Sequence, residues 1–282
     1  MKMKLFFKVS EISIVTGHNK FQSKRDYLLN FWKSHHSFDY MKYMDIFDYI
    51  EISDMDIIQT ISEKNNINIM DNLKESIDVT NIDDINKIKN NINIKFNVTD
   101  ININDKKQVM KSIDNIINTR YGVRNENNIL TLYENRTGNI IINNNIYHKR
   151  KVYEDLNIII YMCGKIDGMI QNQDSIIEIK NRMNKLFYKL KDYEKVQLMC
   201  YMHLFQFTFG QLIEGYCQDN TDDSNNNTEI NIIKIKYDYD YMKNILSAII
   251  IFSKFYYQFI NNHEMKLKLL ESVDDNEVDF NI

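Results

Sequence analysis

The chain has 282 residues, 44% hydrophobic and 26% charged, with a formal net charge of −4, long enough for one large or two small domains around a sizeable core. It holds 0 Pro, 7 Gly and one Ala, Ala248, where average usage would give about 14 Pro and about 20 Gly. Collagen-like and Pro-rich linker chains are excluded, and a mildly acidic protein is no general polyanion binder, so any nucleic-acid contact must come from a local basic face.

Residues 1–54 are aromatic and compact, and Arg25–Lys33 has its apolar residues at helical spacing. The opening Leu5-Phe6-Phe7 between lysines is too short for a signal-peptide core. Residues 55–104 are a run of Ile, Asn and Asp with weak periodicity, read as an insertion of short helices or partly ordered loop. Together, 1–104 is expected to be an N-terminal helical region packed on the rest. Two helices are predicted over 105–119 and 122–135, the second with Ile129, Leu130, Leu132 and Tyr133 as its apolar residues. Strands follow at 139–153, 156–170 and 175–181, then a long helix over 188–207. Strands at 210–217 and 229–237 flank a polar loop, Asp219 to Thr228, and a last helix covers 240–261. Its Tyr241, Phe252, Phe255, Tyr256 and Phe259 read as a core stripe. Residues 263–282 form an acidic tail. Helix, three strands, helix, strand is the order of a mixed sheet flanked by helices.

Several chemistries lack support. Cys163, Cys200 and Cys217 have no CxxC spacing and read as buried free thiols. His18, His35, His36, His148, His203 and His263 form no HExxH and read as surface or interface residues. No GxxxxGK[ST], GxGxxG or GxSxG occurs. The longest apolar run, Ile245 to Phe252, is well short of the ~20 residues a bilayer needs. A soluble, intracellular protein is expected.

The informative window is Gly164-Lys-Ile-Asp-Gly168 followed by Ile176-Ile-Glu-Ile-Lys180. Alternation along a strand puts Glu178 and Lys180 on one face and Ile177 and Ile179 on the other. With the flanking strands adjacent, Asp167 lies beside Glu178. Two carboxylates so placed repel unless a divalent cation sits between them. Mg²⁺ or Mn²⁺ takes such ligands and keeps positions for water and phosphate. A lysine alongside can orient or help deprotonate the attacking water. Gln197 and Tyr201 share a helix face at i, i+4. Lys185, Lys189, Lys191 and Lys195 make a local positive stripe, and Glu126 is a third carboxylate within reach.

The set Gly122-x3-Glu126…Tyr133-Glu134…Gly138, Gly164–Gly168, Glu178-Ile-Lys180 and Gln197-x3-Tyr201 resembles the PD-(D/E)XK nuclease superfamily. Within it, the lambda-exonuclease / YqaJ viral recombinase branch, in versions carried by large DNA viruses, is the most similar. Val9–Gly17 resembles that branch's opening helix, with Ser10 near the DNA; the branch's upstream arginine, which would bind a DNA 5′-phosphate, has no counterpart beyond Lys2, Lys4 and Lys8. The resemblance implies a restriction-endonuclease-like mixed central sheet flanked by helices, an α-βββ-α-β core over 105–262. It implies that Asp167, Glu178 and the Ile179 carbonyl hold one or two Mg²⁺ or Mn²⁺ ions, with Glu126 an outer or second-metal ligand. Lys180 would orient the nucleophilic water, and Ser10, Arg182, Gln197 and Tyr201 would meet DNA or steady the site. The activity implied is digestion of linear double-stranded DNA in recombination or repair, in the host cytoplasm or at a viral replication site. A single-strand annealing protein and further copies in a ring trimer are the implied partners. An endonuclease of the same fold and a catalytically silent DNA- or protein-binding module stay open as alternatives.

Overall fold

The computed structural model describes residues 2–47, 53–69, 82–99, 101–124, 126–142, 145–218 and 227–272. The elements in chain order are β1 (Met3–Lys8), a 3-10 turn (Val9–Glu11), α1 (Ile12–Val15), α2 (Lys24–His35), α3 (Ser37–Ile46) and α4 (Asp54–Lys64). Next come α5 (Ile82–Val98), α6 (Ile103–Arg124), α7 (Glu126–Thr137), β2 (Ile141–Ile142), β3 (Tyr147–Glu154), β4 (Ile158–Lys165) and β5 (Gly168–Ile170). The remainder are β6 (Ser175–Arg182), α8 (Asp192–Phe205), β7 (Phe209–Gln218), β8 (Asn227–Lys236), α9 (Tyr239–Ile260) and α10 (His263–Glu271).

Two sheets carry the fold. β1 is a strand because Leu5 and Phe7 point inward while Lys4 and Lys8 face out. It corrects the all-helical reading of the N-terminal zone, whose bulky residues fit either element. β1 runs parallel to β4 and β3 antiparallel to it, in the order β1-β4-β3. The second sheet has the order β2-β5-β6-β7-β8, with β6 and β7 parallel and the other pairs antiparallel. This is the mixed sheet expected from the sequence, with α7 and α8 on its two faces. The strand expected over 139–153 is divided between the two sheets, as β2 and β3. The polar loop expected over 219–228 lies outside the described residues except at its last two positions, where β8 begins.

The main core lies between the three-stranded sheet, α8 and α9. The aromatic stripe of α9 packs there as expected: Phe252, Tyr256 and Phe259 are buried, and Phe252 meets Phe31 and Phe7 edge-on at 5.2 and 5.7 Å. Trp32 donates through Nε1 to Asp39 Oδ2 at 2.9 Å, and Lys266 of α10 reaches the same oxygen at 2.8 Å. Residues 263–271 are therefore a packed helix that buries Leu269, where a tail was expected. Of the histidines expected at the surface or an interface, His35, His36 and His203 are partly buried and hydrogen-bonded within the fold. His35 Nε2 accepts from Phe6 N–H of edge strand β1 at 2.9 Å, and His36 and His203 meet Tyr256 and Tyr237 at 2.8 Å each.

Residues 55–104 contain more order than expected. Ile85, Ile88, Ile92 and Phe96 of α5 join Val109, Ile113 and Ile117 of α6 and Ile58 and Ile61 of α4 in a core of their own. The spacing is helical; exposed Ile94 and Ile103 mask it in a sequence so rich in isoleucine. The second of the predicted helix pair begins at Glu126, and Gly122 belongs to the end of α6.

Truncating Phe252 to Ala removes a buried ring with no means of collapse and is expected to cost about 3–5 kcal/mol. Ile94→Ala, on an exposed position, is expected to stay within about 0.5 kcal/mol. Urea unfolding midpoints of the two variants separate these outcomes.

Candidate active site

β4 and β5 are one run of chain broken at Ile166-Asp167, where it leaves the three-stranded sheet and enters the five-stranded one. The single strand expected over 156–170 is thus two, and Asp167 stands at the corner between them. β5 pairs with β6 through Gly168↔Ile177 and Met169↔Ile176. Past that point Ile179 N–H donates to Asp167 Oδ2 at 2.6 Å. The N–H and C=O of one strand residue share an edge, so the Ile179 carbonyl also leaves β6 on the Asp167 side.

The alternation expected along β6 is present. Ile177 and Ile179 pack with Ile129 and Tyr133 of α7. Glu178 and Lys180 face α8, where Glu178 is only 5% exposed. Glu178 Oε1 accepts from Lys180 Nζ at 2.8 Å and from Gln197 Nε2 at 2.7 Å, and Lys180 Nζ lies 3.2 Å from Gln197 Oε1. Tyr201, one turn along α8, is buried and hydrogen-bonds Gln197. Its ring lies against Gly164, where any Cβ would come within 2.8 Å of Tyr201 Cε1. That contact explains one of the two glycines bracketing Asp167: a side chain at 164 would push Tyr201, and with it Gln197, off the site.

Crowded carboxylates set the electrostatics. Burial, then the Glu178 charge, push Asp167 up to about 8 against the opposing Ile179 hydrogen bond. Burial, then Glu178, also raise Glu126, which opens α7. Lys180 is pulled down by burial but more strongly up by Glu178 and Asp167, so it is held as an ammonium ion. Glu178 Oε2 is buried and meets no donor. Among the described residues no three metal-ligating side chains converge on one point. The donor set nonetheless fits a hard divalent cation: an uncapped Glu178 oxygen, the Asp167 carboxylate and a strand-edge carbonyl, all oxygen.

The other expected contacts are placed differently. Ser10 is exposed in the Val9–Glu11 turn, whose Val9 packs 3.2 Å from the position of a Gly164 Cβ, so it borders the site. Gln197 and Tyr201 are held inside the site by their own hydrogen bonds. Arg182, expected to meet DNA, is buried. Its guanidinium contacts Glu194 at 2.7 Å and Glu214 at 2.8 Å and stacks on Phe187. Its DNA role is withdrawn, because those two carboxylates already occupy it. Lys185 and Lys189 of the positive stripe are exposed, while Lys191 and Lys195 lie over Phe187 and Tyr241 at 4.1 Å each.

Glu194 and Glu214 were missed in the sequence. A lone carboxylate in the apolar run Leu212-Ile213-Glu214 was the available signal, since it demands a buried cation. Glu214 Oε2 also accepts from Tyr188 N–H at 3.0 Å and Asn231 Nδ2 at 2.9 Å. Glu194 Oε2 accepts from Lys191 N–H at 3.1 Å at the start of α8. The cluster ties β6, β7, β8 and the 183–191 loop to the helix that carries Gln197.

Residues 76–212 match the family model of the YqaJ-like viral recombinase domain. The match includes Glu126, Asp167, Glu178, Lys180, Gln197 and Tyr201. Among solved structures, the chain is similar to an alkaline exonuclease (LHK-Exo) from Laribacter hongkongensis, at 15% identity and a TM-score of 0.41, over 69% of this chain and 90% of that one. A structure of LHK-Exo in complex with dAMP matches at 16% and 0.40, over 54% and 75%. A phage related exonuclease from Haemophilus somnus 129PT matches at 14% and 0.35, over 47% and 67%. No curated protein matches the sequence.

In chelator, Asp167→Asn is expected to stabilise the protein by about 1–3 kcal/mol at pH 8. The sign follows from linkage. A carboxyl held near 8 in the fold but near its ordinary ~3.9 when unfolded gives stability that is full below pH ~4 and lost as pH rises towards 8. The variant's advantage therefore grows across that window, and Mg²⁺ or Mn²⁺ raises the melting temperature of the wild type alone. Arg182→Ala strands Glu194 and Glu214 without a cation and is expected to cost about 3–5 kcal/mol in urea unfolding.

Proposed function

We propose, on the match of residues 76–212 to the family model of the YqaJ-like viral recombinase domain, that the protein is a metal-dependent DNA nuclease that digests linear duplex DNA from its ends. One observation carries the reading: Asp167, Glu178 and Lys180 meet at one corner, with Glu178 Oε2 buried and free of any donor. Asp167, Glu178 and the Ile179 carbonyl would hold Mg²⁺ or Mn²⁺, with Glu126 able to add a ligand from the start of α7. When bound, such an ion polarises a phosphodiester and lowers the pKa of its water.

The chain's own residues do the rest. Lys180, held as an ammonium ion on Glu178 Oε1, donates toward the attacking water and offsets charge on the phosphate. Gln197 bonds both Glu178 and Lys180 and holds the two heads in their direct contact. Tyr201 orients Gln197 through the contact that Gly164 permits. Ser10, exposed beside the corner, is free to meet a DNA backbone oxygen. The end-dependent form of this reading follows the resemblance of the Glu126, Asp167, Glu178 and Lys180 motifs to the lambda-exonuclease branch. A homotrimer and a single-strand annealing partner belong to the same proposal, and mass measurement in solution tests the first.

Linear and closed-circular duplexes incubated with Mg²⁺, Mn²⁺ or EDTA provide the test. Metal-dependent loss of the linear DNA alone is expected, and Lys180→Ala should slow it by about 10²-fold or more. Cutting of the circle would reassign the protein as an endonuclease. With both DNAs intact in either metal, the nuclease reading is wrong.

A further inference from the structure

The outward face of the β1-β4-β3 sheet is lined with lysines set in register. Nearest the Asp167 corner, Tyr147 lies opposite Lys165, followed by the row Lys8, Cys163 and Lys149. Phe6, Tyr161 and Lys151 make the next row, and Lys4, Ile159 and Glu154 the last. Lys4, Lys8, Lys149, Lys151 and Lys165 are all exposed, in a protein whose net charge is −4. Two described carboxylates offset them: Glu154, 2.7 Å from both Lys2 and Lys151, and Glu11, 3.1 Å from Lys8. Aromatic rings lie among the cations. Phe6 and Tyr161 stack with centroids 5.1 Å apart, Lys149 Nζ is 5.3 Å from each, and Tyr147 is 56% exposed.

Surface ion pairs of this kind contribute little to stability, so packing does not account for so many like charges on one face. We propose that this face binds the single strand of DNA that remains as a duplex end is digested, and leads it away from the Asp167 corner. The identity of the strand rests on the nuclease reading; the binding itself does not. Charge selects a polyanion. A three-stranded sheet presented face-on is too broad for a duplex groove that admits a helix or a two-stranded ribbon, whereas lysines interleaved with aromatic rings suit an unpaired strand, whose bases can stack. Lysines two residues apart on a strand, such as Lys149 and Lys151, stand about 7 Å apart, which lets neighbouring side chains reach successive phosphates. The face is also continuous with the site. β1 and β4 run parallel toward it, so that Lys8 and Lys165 each stand two residues before Ser10 and Asp167 respectively.

The test is binding of a labelled 20-nucleotide single strand in EDTA, where catalysis plays no part, by fluorescence anisotropy across a range of salt. Lys4→Gln/Lys149→Gln/Lys151→Gln is expected to weaken binding about tenfold and to flatten the log–log salt slope by about two, from three lost phosphate contacts at ~0.7 each. Affinity for a blunt duplex of equal length should fall by no more than about threefold, and the corresponding Lys→Arg variant should bind as the wild type does. An unchanged melting temperature in the Gln variant excludes unfolding as the cause. Equal binding and slope in wild type and the Gln variant would overturn the proposal, and so would an equal loss for duplex, which would make this a duplex surface. Because the nuclease assay uses metal and the wild type, either reading can fail without the other.

Discussion

The hydrogen bond from Ile179 N–H to Asp167 Oδ2 is the contact on which the site depends. It exists because β5 is short: pairing with β6 stops at Ile177, and the backbone donor left beyond that point needs an acceptor. A carboxylate from the corner supplies it. The same geometry brings a second carboxylate, Glu178, alongside and leaves its Oε2 without a donor. An arrangement that stabilised only the fold would place an amide or a hydroxyl here; burial and the Glu178 charge raise both Asp167 and Glu126, a crowding that a divalent cation at this corner would relieve.

That strained corner is tolerated because its surroundings are firmly held. β6 is buried on both faces, with Ile177 and Ile179 against α7 and Glu178 and Lys180 under α8. The buried cluster of Arg182, Glu194 and Glu214 fixes α8 relative to the sheet, so Gln197 arrives at Glu178 in one position. Breaking a buried ion pair is costly because it strands a charge without its partner, and here the cluster lies one layer away from Asp167 and Glu178. The close approach of Tyr201 to Gly164 completes the support from the other side.

Helices α4, α5 and α6 stand apart in this scheme, with an isoleucine core of their own. α6 nevertheless reaches the site indirectly, because it leads into α7, whose first residue is Glu126. An insertion that would otherwise be a surface embellishment thereby helps set where the third carboxylate stands. The three-stranded sheet plays the complementary part: its inner face packs on the core, and its outer face ends at the Asp167 corner with lysines on every row.

Local pattern was enough to reveal much of this. The helix–strand order, the shared face of Glu178 and Lys180, the i, i+4 pair Gln197 and Tyr201, and the aromatic core stripe of α9 all follow from periods of 2.0 and 3.6 residues, which are properties of a single segment. Tertiary structure alone decided the rest. Whether 156–170 is one strand or two depends on which sheet each half joins, and that is a pairing between distant segments. The burial of Arg182 depends on Glu214, thirty-two residues away, so no local window could show that its charge was already matched. β1 was hidden for the same reason: Met3–Lys8 becomes a strand by pairing with β4, more than 150 residues later, and strand formation is set by such partners more than by intrinsic preference.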